Sequence, residues 1–469
     1  MDLKPLHTYS ATELANFINT GQISAEQTVK HFLSRIEKHD DKVGAFVFLD
    51  KRSAIEAARE VDRKKRAGEP LGLLAGVPFG VKDFTHVQGM PTAEGSRLFE
   101  PTTLQPTDEP IIARLKAEGA IPIGKTNVPE FGMHSATYNE TYGISRNPWD
   151  ITRTPGGSSG GSSAAVAAGL VPFATGTDGG GSIRTPAAFC GLVGLKTTHA
   201  LIPRREGQSS LSCLGFLTKT VEDTARLIDI TCGSHPSDKM SLPKPHSPFE
   251  QALDLSKDQT LKAVWSSDFG YAPMEPEIVE VAHSAYEKLT NATTFHTFPY
   301  SFEPNNVYRA WILDSLNFLK ETLETDGFNL ATPDSRTQRL LSTYSKSSTS
   351  DHLYVQQQFA ELEKYIGEFF LKADLLFTPA TSCPAFGAHE EIPDIVNSLD
   401  ATWTGAEPLS MFANVAGLPA ISIPAGFTKT GLPVGLQIVA ARHNDLLLLQ
   451  LARLWEKIQP WPLIAPDYS

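Results

Sequence analysis

Two Gly/Ser-rich clusters, Thr154-Pro-Gly-Gly-Ser-Ser-Gly-Gly-Ser-Ser163 and Gly176-Thr-Asp-Gly-Gly-Gly-Ser-Ile-Arg184, flank an apolar stretch, Ala164–Ala174, with almost no polar side chains. A flexible linker does not bury its own middle. Both clusters therefore read as tight backbone turns in a core, each presenting a serine. Consecutive glycines at 179, 180 and 181 let successive N–H groups converge on one point, the geometry of an oxyanion hole. Ser182 follows directly and would stand beside it. A serine nucleophile needs a base. The first cluster offers a second serine, and Lys82 offers an amine at the end of the apolar run Leu74–Val81. Desolvation there lowers an amine's pKa. Holding it neutral at pH 7, from an ordinary value near 10.4, takes roughly 4–5 kcal/mol. Lysines and serines are common, so spacing alone does not select this trio.

Two other motifs invite different chemistry. Gly119-Ala-Ile-Pro-Ile-Gly-Lys-Thr126 fits the phosphate-binding pattern GxxxxGK[ST], which needs a strand before it and a helix after it. Here a helical pattern precedes it, Pro122 lacks an N–H, and Pro129 interrupts the helix that should follow. A buried strand is the better reading. Gly156-Gly-Ser-Ser-Gly160 fits GxSxG, which would make Ser158 a nucleophile served by a downstream histidine such as His389 or His443. A nucleophile elbow follows an apolar strand directly, whereas Arg153-Thr-Pro155 precedes this one. His443, just ahead of a helix, reads as a surface residue.

The elements that must position these groups are partly legible. Ser10-Ala-Thr-Glu13 and Ser24-Ala-Glu-Gln27 fit capping boxes that open helices. The second helix runs from about Ala25 to Lys38, with Val29, Phe32, Leu33 and Ile36 on one face. Further helices are predicted over 53–66 and 110–118, opening near Pro276, and from about Asn444. Val355, Phe359, Leu362, Ile366 and Phe369 mark a long amphipathic helix. Residues 74–82, 120–123, 420–424 and 434–439 read as short buried strands, and Ser342–Ser350 as a polar loop. Strand texture near both ends predicts that residues 71–200 and the last part share one sheet. The 469 residues alone suggest two or three domains.

Composition is that of an ordinary globular protein, 41% hydrophobic and 20% charged, and a net charge of −12 argues against nucleic acid or an anionic membrane as partner. The basic run Arg63–Arg66 is a solvated helix face. Cys190, Cys213, Cys232 and Cys383 form no CxxC pair and read as buried free thiols of a reducing compartment. Met1–Thr8 carries no apolar core of a secretion signal, so a cytoplasmic protein is the expectation.

Several segments together closely resemble the amidase signature family of serine hydrolases. They are Gly76–Asp83, Gly119–Asn127, Arg146–Asp150, Thr154–Gly161, Gly176–Ala187 and Phe189–Lys196, with Gly417–Gly426 and Gly431–Gln437 matching its C-terminal part. The resemblance implies an α/β fold with a large mixed central sheet flanked by helices on both faces. It also implies one continuous domain over 1–469: a helical part to 70, a signature core over 71–235, a variable substrate-shaping part over 236–410, and an α/β part over 411–469 returning to the core sheet. The family's Ser-cisSer-Lys triad falls on Ser182 as nucleophile, Ser158 as the bridging serine after a cis peptide bond, and Lys82 as base. Ser159 would orient the network, Asp178 and Arg184 would brace the turn, and Gly179, Gly180 and Gly181 would form the oxyanion hole. No metal or organic cofactor is implied. The expected partner is a small amide-type substrate, with a homodimer left open.

The chain departs from the family after Gly-Leu-Lys196, where Thr197-Thr-His-Ala-Leu201 replaces Pro-Thr-x-Gly-Arg. That affects the loop after the core, not the triad. The A subunit of a tRNA-dependent glutamine amidotransferase, an alternative within the family, carries Gly-Ser-Asp-Thr-Gly-Gly-Ser in the turn and Asp-Gln-Ile-Gly further on. Here the turn is Gly-Thr-Asp-Gly-Gly-Gly-Ser and the later segment is Ser212-Cys-Leu-Gly-Phe216. A stand-alone amidase is therefore the primary expectation, with a catalytically silent scaffold as the second alternative. The same machinery can cleave aryl amides, esters and carbamates. Tyr308, Trp311, Phe318 and Trp403 read first as core, yet together they allow an apolar or aryl acyl group.

Overall fold

Local chemistry opens the first helices as the sequence predicts. Ser10 and Ser24 both complete reciprocal capping boxes, with Glu13 and Gln27, ahead of helices Ala11–Thr20 and Ala25–Val43. The second helix extends beyond Lys38 until Gly44, in the left-handed region at φ +63°, turns the chain. The computed structural model describes residues 4–99, 102–256, 260–297, 300–329, 332–344, 348–402 and 405–469.

Among the described residues, the central sheet holds eleven strands. From one edge they are Phe46–Leu49, Ile121–Thr126, Pro78–Lys82, Phe173–Asp178, Cys213–Thr218, Val193–Lys196, Ala420–Phe427, Pro433–Ala440, Leu375–Pro379, Leu261–Trp265 and Phe295–Thr297. Pro78–Lys82 runs parallel to both of its neighbours, while the middle of the sheet is antiparallel. The two α/β parts of the chain do share this sheet. They join where Val193–Lys196 pairs with Ala420–Phe427, Leu195 opposite Ile421.

Helices cover both faces, and strand alternation shows it. Leu375 and Phe377 pack with the helices Val221–Thr231, Pro276–Asn291 and Asp445–Ile458, while Leu376 between them packs on the opposite side, against Thr349–Phe370. The GxxxxGK[ST] segment is the buried strand Ile121–Thr126, with Lys125 tied to the Thr85 carbonyl at 2.7 Å and the Thr92 hydroxyl at 2.8 Å. The apolar stretch between the Gly/Ser clusters begins as a buried helix, Gly160–Ala167. Glycine is required at its second position, because a Cβ on Gly161 would lie 2.3 Å from the backbone nitrogen of Asn127.

The polar stretch 342–350 is not simply a loop. Helix Ser335–Tyr344 runs into it, and Ser348 caps helix Thr349–Phe370, while 345–347 lie outside the described residues. Polar residues on the solvent side of helix ends gave that stretch its loop-like composition. All four cysteines are free and buried. No helix among the described residues is long and apolar enough to cross a membrane.

Candidate active site

The site forms at the carboxyl ends of two adjacent parallel strands, Pro78–Lys82 and Phe173–Asp178. Ligands of open α/β sheets commonly bind at such ends. Lys82 closes the first strand with its side chain fully buried. Its backbone N–H donates to the Thr175 hydroxyl at 2.9 Å. Its Nζ lies 2.8 Å from Ser158 Oγ, 2.7 Å from Thr177 Oγ1 and 3.3 Å from the Thr177 carbonyl oxygen. Burial lowers the amine to about 7, against partial opposition from the charges of Asp178 and Glu94.

Ser158 follows a cis peptide bond from Gly157. Next to it, the Ser159 N–H donates to the Ser182 carbonyl at 3.3 Å, and the Ser159 hydroxyl donates to the Thr177 carbonyl at 3.3 Å. These bonds join the first cluster to the turn that carries Ser182. Ser182 is half-buried and, with Ser158 and Thr177, lines a cavity of about 430 Å³. The structure thus brings Lys82, Ser158, Ser159 and Ser182 together. His389 and His443 are both exposed, and neither lines the cavity.

Below the turn, Asp178 and Arg184 form a fully buried pair, with Nη2 2.9 Å from Oδ1 and Nε 3.0 Å from Oδ2. Burial alone would push the Asp178 carboxyl up, but the Arg184 guanidinium holds it well below the usual range. Arg184 also donates to the Ser410 carbonyl, Gln437 Oε1 and Asn414 Oδ1. Sequence reasoning found the pair but missed these three partners, which lie more than two hundred residues away along the chain. It also missed Thr177. The signal was present, since Thr175 and Thr177 share one face of their strand and that face meets Lys82.

One expectation needs correction. The Gly181 N–H donates to Asp178 Oδ1 at 2.8 Å, so it is turned away from the cavity and cannot serve an oxyanion there. Among the described residues, the N–H groups of Gly179, Gly180 and Ser182 meet no protein acceptor.

The cavity walls also differ from expectation. Phe318 lines the cavity, and Trp311 lines it while also packing against the core, its Nε1 donating to the Gly179 carbonyl at 2.8 Å. Tyr308 packs in the hydrophobic core beside Trp311, and Trp403 lies outside the described residues. Much of the lining comes from residues 84–99, from Gln105 and from residues 205–212, within the signature core rather than the variable part.

A family-wide sequence profile, that of the amidases, matches residues 27–449. The chain belongs to the amidase signature family. It is an amidohydrolase of that family, with the family's mixed sheet. It is 35% identical to the A subunit of the glutamyl-tRNA(Gln) amidotransferase of Chlamydia pneumoniae over 480 residues, covering 95% of this chain and 94% of the relative. Among solved structures, a bacterial aryl acylamidase of the amidase signature family superposes with a TM-score of 0.89 at 27% identity, covering 99% and 98% of the two chains. The A subunit of the Thermotoga maritima amidotransferase superposes with a TM-score of 0.79 at 27% identity, over 99% and 98%.

Proposed function

We propose that this amidohydrolase cleaves amides by acyl transfer to Ser182, with Ser158 as proton relay and Lys82 as base. The observation that carries the reading is the 2.8 Å approach of Lys82 Nζ to Ser158 Oγ, on the wall that Ser182 shares. A neutral amine has two N–H donors and one lone pair. Thr177 offers two acceptors to the donors, its hydroxyl and its carbonyl, which leaves the lone pair for the Ser158 hydroxyl proton. Ser158 then takes the proton of Ser182 as Ser182 Oγ attacks the carbonyl carbon. The N–H groups of Gly179, Gly180 and Ser182 receive the oxyanion. The proton returns through Ser158 to the leaving nitrogen, the C–N bond breaks, and water hydrolyses the acyl-enzyme by the same relay.

The substrate has two readings. Phe84, Phe99, Phe131, Trp311 and Phe318 around the cavity support a free-standing amidase for amides, aryl amides, esters or carbamates with an apolar group. The sequence relatives favour the second reading, the A subunit of a glutamine amidotransferase, and favour it more strongly than the free-standing one. One experiment separates them: hydrolysis of aryl amides, esters and carbamates against L-glutamine by the purified chain, and by the chain with its co-purifying partners. Turnover of glutamine, or a bound partner chain, selects the amidotransferase reading. Turnover of aryl substrates by the isolated chain selects the free-standing one. Undiminished activity in Ser182→Ala would sink the acyl-transfer scheme under both.

A further inference from the structure

The charges on the part of the cavity wall at Glu94 and Arg205 are unbalanced. Glu94 sits there at φ +51°, a backbone region that residues with a Cβ rarely adopt, and its side chain is only 20% exposed. Its backbone is fastened on both sides, the N–H to the Asp83 carbonyl at 3.1 Å and the carbonyl to the Phe131 N–H at 2.9 Å. One carboxylate oxygen accepts from Arg205 Nη2 at 3.4 Å. Arg205 Nε, however, donates to Glu109 Oε1 at 3.1 Å, so a single guanidinium serves two carboxylates. The nearby Lys125 amine is 3.5 Å from Asp83 and is held by Thr85 and Thr92. Gln208, another wall residue, donates to Glu109 Oε2 at 3.4 Å, and its own amide oxygen is buried without a partner. Its backbone stands in the same loop as Arg205. The Glu94 carboxylate is thus an acceptor on the cavity wall that shares its one ion-pair partner with Glu109.

A carboxylate that shares its one ion-pair partner is under-neutralised. A group that donates hydrogen bonds and carries positive charge would neutralise it. We propose that the cavity wall at Glu94 is a subsite for an ammonium group of the substrate, whose apolar body lies along Phe84, Phe99, Phe131 and Trp311. This inference rests on the acyl-transfer reading only in placing the ligand beside Ser182. Burial pushes the Glu94 carboxyl up to about 7, so the subsite is ionised above neutral pH.

The test is protection of Ser182 from a fluorophosphonate at pH 8, by 4-phenylbutylammonium and by its uncharged counterpart 4-phenylbutanol. The alcohol reports the aromatic walls, and the difference between the two reports the Glu94 carboxylate. The wild type should be protected at about tenfold lower concentration of the ammonium compound, the effect of one charged hydrogen bond. Glu94→Gln should reduce that ratio to within about threefold, and Glu94→Ala should do the same, giving a second variant should the first fold poorly. Equal protection by the two compounds in the wild type, or an unchanged ratio in Glu94→Gln, overturns the subsite alone. Failure of the wild-type Ser182 to react at all overturns the acyl-transfer reading, and this inference with it.

Discussion

At the scale of single residues, the decisive fact is a lysine placed where water cannot reach it, with its amine lowered to about 7. Activity should therefore rise with pH through about 7 and level off as Lys82 loses its proton. Lys82→Ala should lower kcat/KM by roughly 10²–10⁴-fold and abolish that rise. A pH–rate profile of the two proteins checks both outcomes. The same group should mark stability. Its folded-state value lies below its unfolded value near 10.5, so the unfolded chain binds the extra proton between the two. The penalty is thus fully present below pH 7 and is relieved as pH rises towards 10.5. Relative to Lys82→Met, the wild type should gain up to about 5 kcal/mol across that window, measured by denaturant unfolding at several pH values. Thr177 refines the picture. Its hydroxyl accepts from Nζ at 2.7 Å and favours the charged amine. Thr177→Val should shift the midpoint of the pH–rate profile below that of the wild type and lower kcat about tenfold by loosening the amine. An unshifted midpoint would assign Thr177 a packing role only.

At the scale of elements, the turn carrying Ser182 is braced from beneath by the Asp178–Arg184 pair, and Arg184 is held in turn by Ser410, Asn414 and Gln437. Removing one partner of a buried pair strands the other charge. Arg184→Met should destabilise the fold by about 3–5 kcal/mol, visible as a lower denaturation midpoint. If the protein stays folded, its residual kcat should fall with the turn's order. Legibility also divides by element. Helix starts were readable because capping boxes at Ser10 and Ser24 act within three residues. Strand positions were readable where apolar runs met Gly and Pro, as at Pro78–Lys82 and Ala420–Phe427. The braces were not, because Arg184 meets Gln437 across the sheet and no local pattern records that meeting. Trp311 was only partly legible for a related reason. A tryptophan on an amphipathic helix looks the same whether its face meets a core or a cavity. The fold gives Trp311 both, packing it against the core and bonding its ring to the Gly179 carbonyl at the cavity.

At the scale of the whole molecule, the two halves of the chain are woven rather than placed side by side. Val193–Lys196 from the first half pairs with Ala420–Phe427 from the second. The last residues return to the first half of the chain, where Arg35 of helix Ala25–Val43 donates to the Tyr468 carbonyl at 2.6 Å and the Ala465 N–H donates to the Ala167 carbonyl of helix Gly160–Ala167 at 2.9 Å. Trp461 donates to the Lys219 carbonyl at 3.0 Å. Cutting the chain near residue 235 would therefore expose an open strand edge, unpair Arg184 from its distant partners and strip the tail from the first helices. Length alone suggested two or three domains, because chain length carries no information about how strands interleave. The proposal that follows from the weave is a single cooperative unit over 1–469. Far-UV circular dichroism, tryptophan fluorescence and fluorophosphonate labelling of Ser182 should then be lost in one coincident transition on denaturation. A fragment of residues 1–235 should neither label nor show a cooperative transition, although it contains Lys82, Ser158 and Ser182. Two separated transitions, or a labelled fragment, would instead divide the chain into independent domains and restrict the braces at Ser410, Asn414 and Gln437 to a secondary role.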